Sequence, residues 1–250
     1  NFTEKTGVKT ESQGDWQGFR RPYIIDPTSS DFNVVARNYY ECLHNLMGRS
    51  RFYSMDPFHE GGRISSGKYA EGYTAIYNAM NSYCGTNSLW VIQQWYWASH
   101  QATSLSAVPA GRLLVLDLYS DGDPYFDKYN GYAPQTALYC TITNFGGRSG
   151  FMGRLDKQMR EFFAYKQKYP TINGIGATPE AIEQVPVLYD NLYELPWMSQ
   201  APADAKEWLR DYTTARYGQE NADAQSAWEK LRTSALNCTS TLQGPQEAVY

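Results

Sequence analysis

The sequence places an imidazole and a carboxylate directly after a short apolar run. Residues 51–55 have the composition of a buried strand, and the run ends at an Asp-Pro pair, which the centre of a sheet does not tolerate. His59, Glu60 and two glycines follow. A strand that ends in polar side chains on a glycine-flanked loop is how a (β/α) barrel presents catalytic groups at its carboxyl-terminal face. Glu60 is therefore the first candidate catalytic residue.

Further apolar runs, each followed by polar residues, predict four more strands. They lie at residues 89–94, 113–118, 137–142 and 171–177. The carboxyl ends of parallel strands share one edge of a sheet, so the polar residues at these ends are expected near Glu60. These residues are Gln94 with Trp95, then Asp117, Asp121 and Asp123, then Asn144, and finally Glu180.

Carboxylates, amides and a tryptophan on one edge favour sugar chemistry. A glycosidase needs two carboxyl groups that flank the scissile bond. Glu60 and Glu180 are the glutamates that directly follow strands, whereas Glu183 lies one helical turn further on. Asp117 lies inside its strand, where it could support by hydrogen bonding, and Asp121 has the position of a turn former. A metal-dependent α/β enzyme that uses Asp117 and Asp121, with Mg²⁺, stays open as an alternative.

Competing motifs are weak. The glycine-rich residues 146–150 lack the Lys-Ser/Thr of a P-loop, and Arg63 stands where a zinc protease would need its second histidine after His59-Glu60. The four cysteines show no CxxC spacing and the chain has only three histidines, so we do not expect a zinc site. Two disulfides are possible but not implied.

Composition excludes several partners. The net charge of -4 and the pI of about 5.4 argue against nucleic acid and anionic membrane surfaces. No long apolar run predicts a membrane span. Aromatic residues make up 15% of the chain. Their rings fill cores and also stack on sugars, so this content is a hint toward a carbohydrate ligand.

The order of elements predicts a parallel sheet. Helical spacing at residues 32–47, 67–83 and 151–169, and from residue 182, alternates with the five strands. Residues 1–31 are polar and rich in turns and are expected to be irregular. Five strands do not close a barrel of eight, so the sheet is either open or the later part of a barrel. Two strand-free helices follow at 203–217 and 221–237, and we place a domain boundary between residues 197 and 198.

Several strings make a family resemblance specific. They occur in order at residues 53–62, 94–95, 111–118, 144–147, 176–180 and 208–218. Over residues 20–238 the chain resembles the alpha-N-acetylglucosaminidase family, glycoside hydrolase family 89. The resemblance implies that residues 1–197 are the C-terminal portion of a (β/α)8 TIM-type barrel. It also implies that residues 198–250 begin an all-α domain.

The resemblance implies a retaining exo-hydrolase that removes terminal α-linked N-acetylglucosamine by double displacement. The acid/base glutamate of the family falls on Glu60 and its nucleophile on Glu180. His59, Trp95 and Asn144 match residues that line or support the sugar pocket. No cofactor and no metal are implied.

The implied partners are a glycan substrate and the remainder of a longer polypeptide. Family members carry an N-terminal domain, early barrel strands and a long helical domain, and most of these parts are expected to lie outside this sequence. A bacterial member is expected in the periplasm or secreted, and an animal member in the lysosome. A carbohydrate-binding fragment without turnover remains an alternative.

Overall fold

The computed structural model describes residues 2–97, 99–143, 151–180, 184–202 and 204–239. The chain divides into two compact units. Unit 1 comprises residues 1–115 and 132–136, and unit 2 comprises residues 116–131 and 137–250. The boundary expected from the sequence between residues 197 and 198 stays a prediction.

Unit 1 begins with more structure than its sequence indicated. A short helix, α1 (Phe2–Thr6), precedes an antiparallel hairpin of β1 (Asp15–Trp16) and β2 (Phe19–Arg20). Gln17 and Gly18 form its turn with positive φ angles of 47° and 84°. The expectation that residues 1–31 are irregular was therefore wrong for these elements. They are too short to show a hydrophobic period.

The remainder of unit 1 follows the predicted alternation. The predicted strands at residues 51–55 and 89–94 and the helices at 32–47 and 67–83 are confirmed, with small shifts at their ends. The polar segment after the strand at residues 89–94 contains two single-turn helices. The elements are α2 (Ser30–Met47), β3 (Phe52–Ser54), α3 (Tyr69–Cys84), β4 (Leu89–Gln94), α4 (Ser99–Ala102) and α5 (Ser104–Ala107).

Trp90 fixes the end of β3 to β4 in unit 1. The two strands are parallel, with Tyr53 opposite Trp90. Trp90 is fully buried, its Nε1 donates to the carbonyl oxygen of Met55 at 2.7 Å, and its ring lies 6.0 Å from that of Tyr73. Side chains alternate along β4, so Trp90, Ile92 and Gln94 face inward. The loop after β3 therefore begins at a residue that a buried side chain holds by a hydrogen bond.

The strands form one five-stranded parallel sheet. Its order is β3-β4-β5-β6-β7, and β6 pairs with β7 in parallel. The unit boundary falls inside β5. The sheet confirms the predicted mixed α/β class and all five predicted strands. The added strands are β5 (Leu113–Asp117), β6 (Thr136–Thr141) and β7 (Ile172–Ala177).

Unit 2 packs aromatic rings between β6 and its first helix. Tyr139 is fully buried, stacks on Phe126 and meets Phe162 edge to face at 5.8 Å. A Cβ atom on Gly176 would lie 2.6 Å from the sulfur of Cys140, so the close approach of β7 to β6 requires glycine there. The helices of this unit are α6 (Leu155–Lys168), α7 (Pro186–Glu194), α8 (Ala205–Tyr217) and α9 (Ala222–Arg232).

The last two helices confirm the predicted strand-free region among the described residues. Asp204 and Asn221 cap them by accepting from the backbone amides of Lys206 and Ala224, both at 2.9 Å. Trp208 is buried and its Nε1 donates to Glu194 at 2.6 Å. Their helical spacing predicts that Trp208, Leu209, Trp228 and Leu231 are buried. Trp208 and Leu209 are buried, whereas Trp228 and Leu231 are only half-buried.

None of the four cysteines is in a disulfide in this structure. They are Cys42, Cys84, Cys140 and Cys238, so neither of the two possible disulfides forms. Within the described ranges, no helix has the length and apolar character needed to cross a membrane.

Candidate active site

Glu60 lies on a left-handed turn just beyond β3. The turn, His59–Gly61, is a single turn of 3₁₀ helix in which Glu60 has φ 49° and ψ 43°. Phe58, directly before it, also has a positive φ of 62°. Such angles cost about 1–2 kcal/mol for a residue with a side chain. Two strained residues around one carboxylate indicate a constrained geometry that other contacts must maintain.

Buried packing around Phe58 is the first of these contacts. Phe58 is 2% exposed, and Tyr69 and Tyr73 pack edge to face against it at 5.3 and 5.6 Å between ring centres. His100 stacks on Tyr69 at 4.3 Å. The preference of aromatic rings for this geometry offsets the backbone strain. Phe58 thus anchors the turn in the core of unit 1.

Gly62 is the second constraint on the turn. A Cβ atom at this position would lie 2.6 Å from Oε1 of Gln13 and 2.8 Å from the Cα of Phe58. No side chain fits there. Glycine allows the chain to fold back tightly on Phe58, which keeps Glu60 at the tip of the turn.

Trp95 binds the Glu60 carboxylate. It directly follows β4, and its Nε1 donates to Oε1 of Glu60 at 3.0 Å. Both side chains are half-buried. The structure thus brings together two residues that the sequence placed at the ends of adjacent strands. Tyr96, which the sequence reasoning did not select, packs edge to face on Trp95 at 4.8 Å and is 58% exposed.

Asp56 and Gln93 join the two strand ends that carry Glu60 and Trp95. The backbone amide of Gln93 donates to Oδ1 of Asp56 at 2.7 Å, and its side-chain amide donates to Oδ2 at 3.1 Å. Trp97 adds a bond from its Nε1 to the Gln93 carbonyl at 2.8 Å. Burial raises the pKa of Asp56, and the Gln93 hydrogen bonds and nearby His59 oppose that rise. Sequence reasoning used Asp56 only as a strand terminator and missed this link.

His59 occupies the turn beside Glu60. It is half-buried and close enough to Asp56 to influence its pKa. Its expected place in a sugar pocket stays a prediction, as does contact with a sugar.

The end of β7 holds the second expected glutamate, in unit 2. Thr178 continues the strand's pairing, since its amide and its hydroxyl donate to the Thr141 carbonyl at 3.0 and 2.9 Å. Its hydroxyl also lies 3.3 Å from the Leu118 carbonyl. Glu180 follows and is exposed. Glu183, Asn144 and the glycine-rich residues 146–150 lie outside the described residues.

The carboxylates after β5 have structural surroundings. Asp117 is fully buried and accepts from the amide of Tyr125 at 2.9 Å. Asp121 is 2% exposed and lies 3.5 Å from Nη1 of Arg154, which is 3% exposed. Burial raises the pKa of Asp121 to about 6, and Arg154 opposes this shift. Sequence reasoning had read Asp121 as a turn former, and its buried partner could not be foreseen from local residues.

The metal-dependent alternative gains no support from these contacts. Asp121 faces a guanidinium group, and the part of the chain that the structure describes holds no group of three or more His, Cys, Asp or Glu side chains able to bind a metal. The arrangement around Glu60 instead offers one accessible carboxyl group with a fixed donor. A carboxyl group in such a setting can act as a general acid or base.

Two regions of the chain match models of one protein family. Residues 1–199 match the family model "Alpha-N-acetylglucosaminidase (NAGLU) tim-barrel domain", and residues 208–250 match the C-terminal domain of the same family. The alpha-N-acetylglucosaminidase of Homo sapiens is 30% identical and matches 93% of this chain. The chain spans only 33% of the length of that human protein.

Solved structures of Clostridium perfringens proteins are also similar. A family 89 glycoside hydrolase in complex with 2-acetamido-1,2-dideoxynojirmycin is 30% identical, with a TM-score of 0.89, and matches 97% of this chain but 28% of its own. A variant with two glutamate-to-glutamine substitutions, in complex with its substrate GlcNAc-alpha-1,4-galactose, is 28% identical with a TM-score of 0.88. It too matches 97% of this chain and 28% of its own.

Proposed function

The chain belongs to the alpha-N-acetylglucosaminidase family, and from this premise we propose that the protein containing it is a retaining exo-glycosidase. Its reaction removes terminal α-linked N-acetylglucosamine from glycans by double displacement. The observation that carries the proposal is the Glu60 carboxylate, which lies on a strained turn after β3 with Trp95 bonded to one of its oxygens. This carboxylate falls within the part of the chain that matches the barrel domain.

Trp95 determines which oxygen of Glu60 delivers the proton. An indole N–H only donates, so the oxygen that it contacts, Oε1, must accept. The acidic proton therefore resides on Oε2. In the first step Glu60 gives this proton to the glycosidic oxygen while Glu180, ionised, attacks the anomeric carbon.

The second step reverses the role of Glu60. Its Oε2 now accepts a proton from water while the water oxygen attacks the anomeric carbon, and the bond from that carbon to Glu180 breaks to release the Glu180 carboxylate. Two inversions at the anomeric carbon give net retention. Trp95 holds Oε1 throughout, so the same oxygen serves as acid and as base.

The choice of Glu180 as the partner of Glu60 has further support. In the similar Clostridium perfringens variant, the two substituted glutamates are separated along the chain by nearly the same number of residues as Glu60 and Glu180. That variant was captured with its substrate. Substitution of catalytic carboxylates is a standard way to obtain such a complex, so the spacing favours the Glu60 and Glu180 pair.

The other expected residues have supporting roles in this proposal. His59 and Asn144 contribute to the sugar pocket together with Trp95. The substrate class is a glycan with a terminal α-linked N-acetylglucosamine, as in the GlcNAc-alpha-1,4-galactose bound to the similar protein. No cofactor takes part. The remainder of the polypeptide completes the enzyme, with residues 1–197 in its barrel and 198–250 in its helical domain.

Proton NMR of the hydrolysis product tests the proposal in the full-length protein. With an aryl α-N-acetylglucosaminide as substrate, we expect the α-anomer of free N-acetylglucosamine to appear first and the β-anomer only after mutarotation. Initial formation of the β-anomer would contradict retention. Binding without hydrolysis would instead favour the carbohydrate-binding alternative, and loss of activity with a chelator would favour the metal alternative.

A further inference from the structure

A side chain from the N-terminal hairpin holds the backbone of the Glu60 turn. Arg21, which directly follows β2, donates from Nη1 to the His59 carbonyl oxygen at 2.9 Å and from Nη2 to the Glu60 carbonyl oxygen. The Arg21 side chain is half-buried. Both bonds join the residue that follows the N-terminal hairpin to a turn that is distant in the sequence.

These two bonds act on the peptide groups on either side of one Cα atom. The His59 carbonyl belongs to the peptide before the Cα of Glu60, and the Glu60 carbonyl belongs to the peptide after it. Fixing both planes fixes φ and ψ of Glu60, which lie in the left-handed region. A planar guanidinium group, with its rigid fork of donors, suits two neighbouring acceptors, whereas a lysine ammonium does not reproduce that fork.

Arg21 is part of a longer brace. Residues 11–24, which we call the N-terminal brace, contact the loop at residues 59–65 at further points. Glu11 accepts from the amide of Ser65 at 3.0 Å, and Oε1 of Gln13 occupies the space that a side chain at Gly62 would need. Gln13 is itself held by a bond from its Nε2 to the Pro22 carbonyl at 3.0 Å.

We propose that Arg21 is a positioning residue for proton transfer by Glu60. The inference rests on the proposed function, in which Glu60 is the acid/base. Arg21 contacts the backbone of the catalytic turn and not the carboxylate, so it acts through orientation. Displacement of a reacting group by about 1 Å can cost about 100-fold in rate. Loss of Arg21 should therefore impair the steps that need a proton and spare those that do not.

The experiment compares two leaving groups in the full-length protein. Arg21→Ala, Arg21→Lys and Glu60→Ala are assayed on GlcNAc-alpha-1,4-galactose, whose leaving group needs a proton, and on a dinitrophenyl α-glycoside, whose leaving group does not. For the dinitrophenyl glycoside, the release of dinitrophenol in the first turnover is followed. We expect Arg21→Ala to lower kcat on the disaccharide by about 10- to 100-fold. Release of dinitrophenol should fall less than about threefold, with KM little changed.

Two further variants serve as controls: one removes the neighbouring arginine, and the other replaces Arg21 with lysine. Arg20 lies beside Arg21 on the hairpin, is exposed, and places its guanidinium 5.9 Å from the ring of Tyr23. Arg20→Ala should leave both rates unchanged. Arg21→Lys should recover only part of the loss, and added guanidinium ion should raise the disaccharide rate of Arg21→Ala but not that of Glu60→Ala.

Each remaining outcome decides the matter. Equal losses on both substrates, or full activity of Arg21→Ala, would overturn the positioning role if Glu60→Ala still discriminates between the leaving groups. If Glu60→Ala loses the same fraction of activity on both substrates, Glu60 is not the acid. The proposed role of Arg21 would then be wrong as well. If Arg21→Ala does not fold, the ratio of the two rates in Arg21→Lys decides by the same criterion.

Discussion

Glu60 and Asp121 both follow strands of the sheet, but their surroundings are opposite. Glu60 is half-buried, lies on a strained turn, and receives a neutral N–H donor from Trp95. Asp121 is 2% exposed and faces the buried guanidinium of Arg154. An accessible carboxyl group with a neutral donor can exchange a proton with substrate, whereas the carboxyl group of a buried ion pair is out of reach of substrate. Its position after a strand therefore does not tell a catalytic carboxylate from a structural one. The groups that contact the carboxylate do.

The largest effect should come from breaking the buried ion pair. Arg154→Ala leaves the Asp121 charge buried without its partner, which costs about 3–5 kcal/mol of stability. Urea denaturation of the full-length protein, followed by tryptophan fluorescence, measures the change. Arg37 forms an exposed pair with Glu41 at 4.0 Å, so Arg37→Ala should change stability by less than about 0.5 kcal/mol. Equal effects of the two substitutions would remove the contrast between buried and surface charge.

The second effect is a pH dependence specific to Asp121. Burial raises the pKa of its carboxyl group from 3.8 to about 6, so the folded state binds more protons than the unfolded state between these values. The stability that this group contributes is fully present below pH 3.8 and is lost as pH rises through about 6. Asp121→Asn removes the titration. Relative to that variant, the native protein should lose stability from pH 4 to pH 6 with a slope of at most about 1.4 kcal/mol per pH unit.

Parallel curves for the native protein and Asp121→Asn would contradict this account. Such a result would mean that the Asp121 carboxyl group titrates alike in the folded and unfolded states. Asp127 is an exposed carboxylate paired with Lys168 at 2.8 Å, and that lysine and Tyr169 lower its pKa. The difference between the native protein and Asp127→Asn should therefore show the opposite sign and lie at lower pH.

The smallest effect concerns the donor to Glu60. Trp95→Phe keeps an aromatic ring and removes the N–H that binds Oε1. Hydrogen bonds to charged groups contribute about 1.5–3 kcal/mol, and water can replace part of this at a half-buried site. We expect kcat on GlcNAc-alpha-1,4-galactose to fall about tenfold, a barrier increase of about 1.4 kcal/mol. Trp197, which is 89% exposed, provides the control, since Trp197→Phe should leave kcat unchanged.

Much of the fold was accessible from the sequence for a local reason. Each strand is a short apolar run with a clear stop, and Asp56-Pro57 marks one of them without ambiguity. Helical spacing located α2, α3 and α6 to within a few residues. The hairpin of β1 and β2 was missed because two-residue strands carry no period. The pattern of apolar residues thus predicts a helix or strand only when the element is long enough to repeat that pattern.

The surroundings of the site were less accessible because they depend on distant pairs. Glu60 and Trp95 could be placed at adjacent strand ends, and the structure brings them into contact. The bonds of Arg21 to the turn and of Asp56 to Gln93 join residues that only the folded chain brings together. No spacing in the sequence encodes such pairs. The left-handed backbone of Glu60 is likewise a consequence of packing around Phe58 and Gly62.

Azide products in the full-length protein test the assigned roles most directly. In Glu60→Ala, the glycosyl-enzyme forms from a dinitrophenyl glycoside but lacks a base, so azide should accelerate its breakdown and give the retained α-azide. In Glu180→Ala no covalent intermediate can form, and azide in the vacated space should give the inverted β-azide. The β-azide from Glu60→Ala together with the α-azide from Glu180→Ala would contradict the account and exchange the two roles. Undiminished hydrolysis by either variant would show that its carboxylate merely ends a strand.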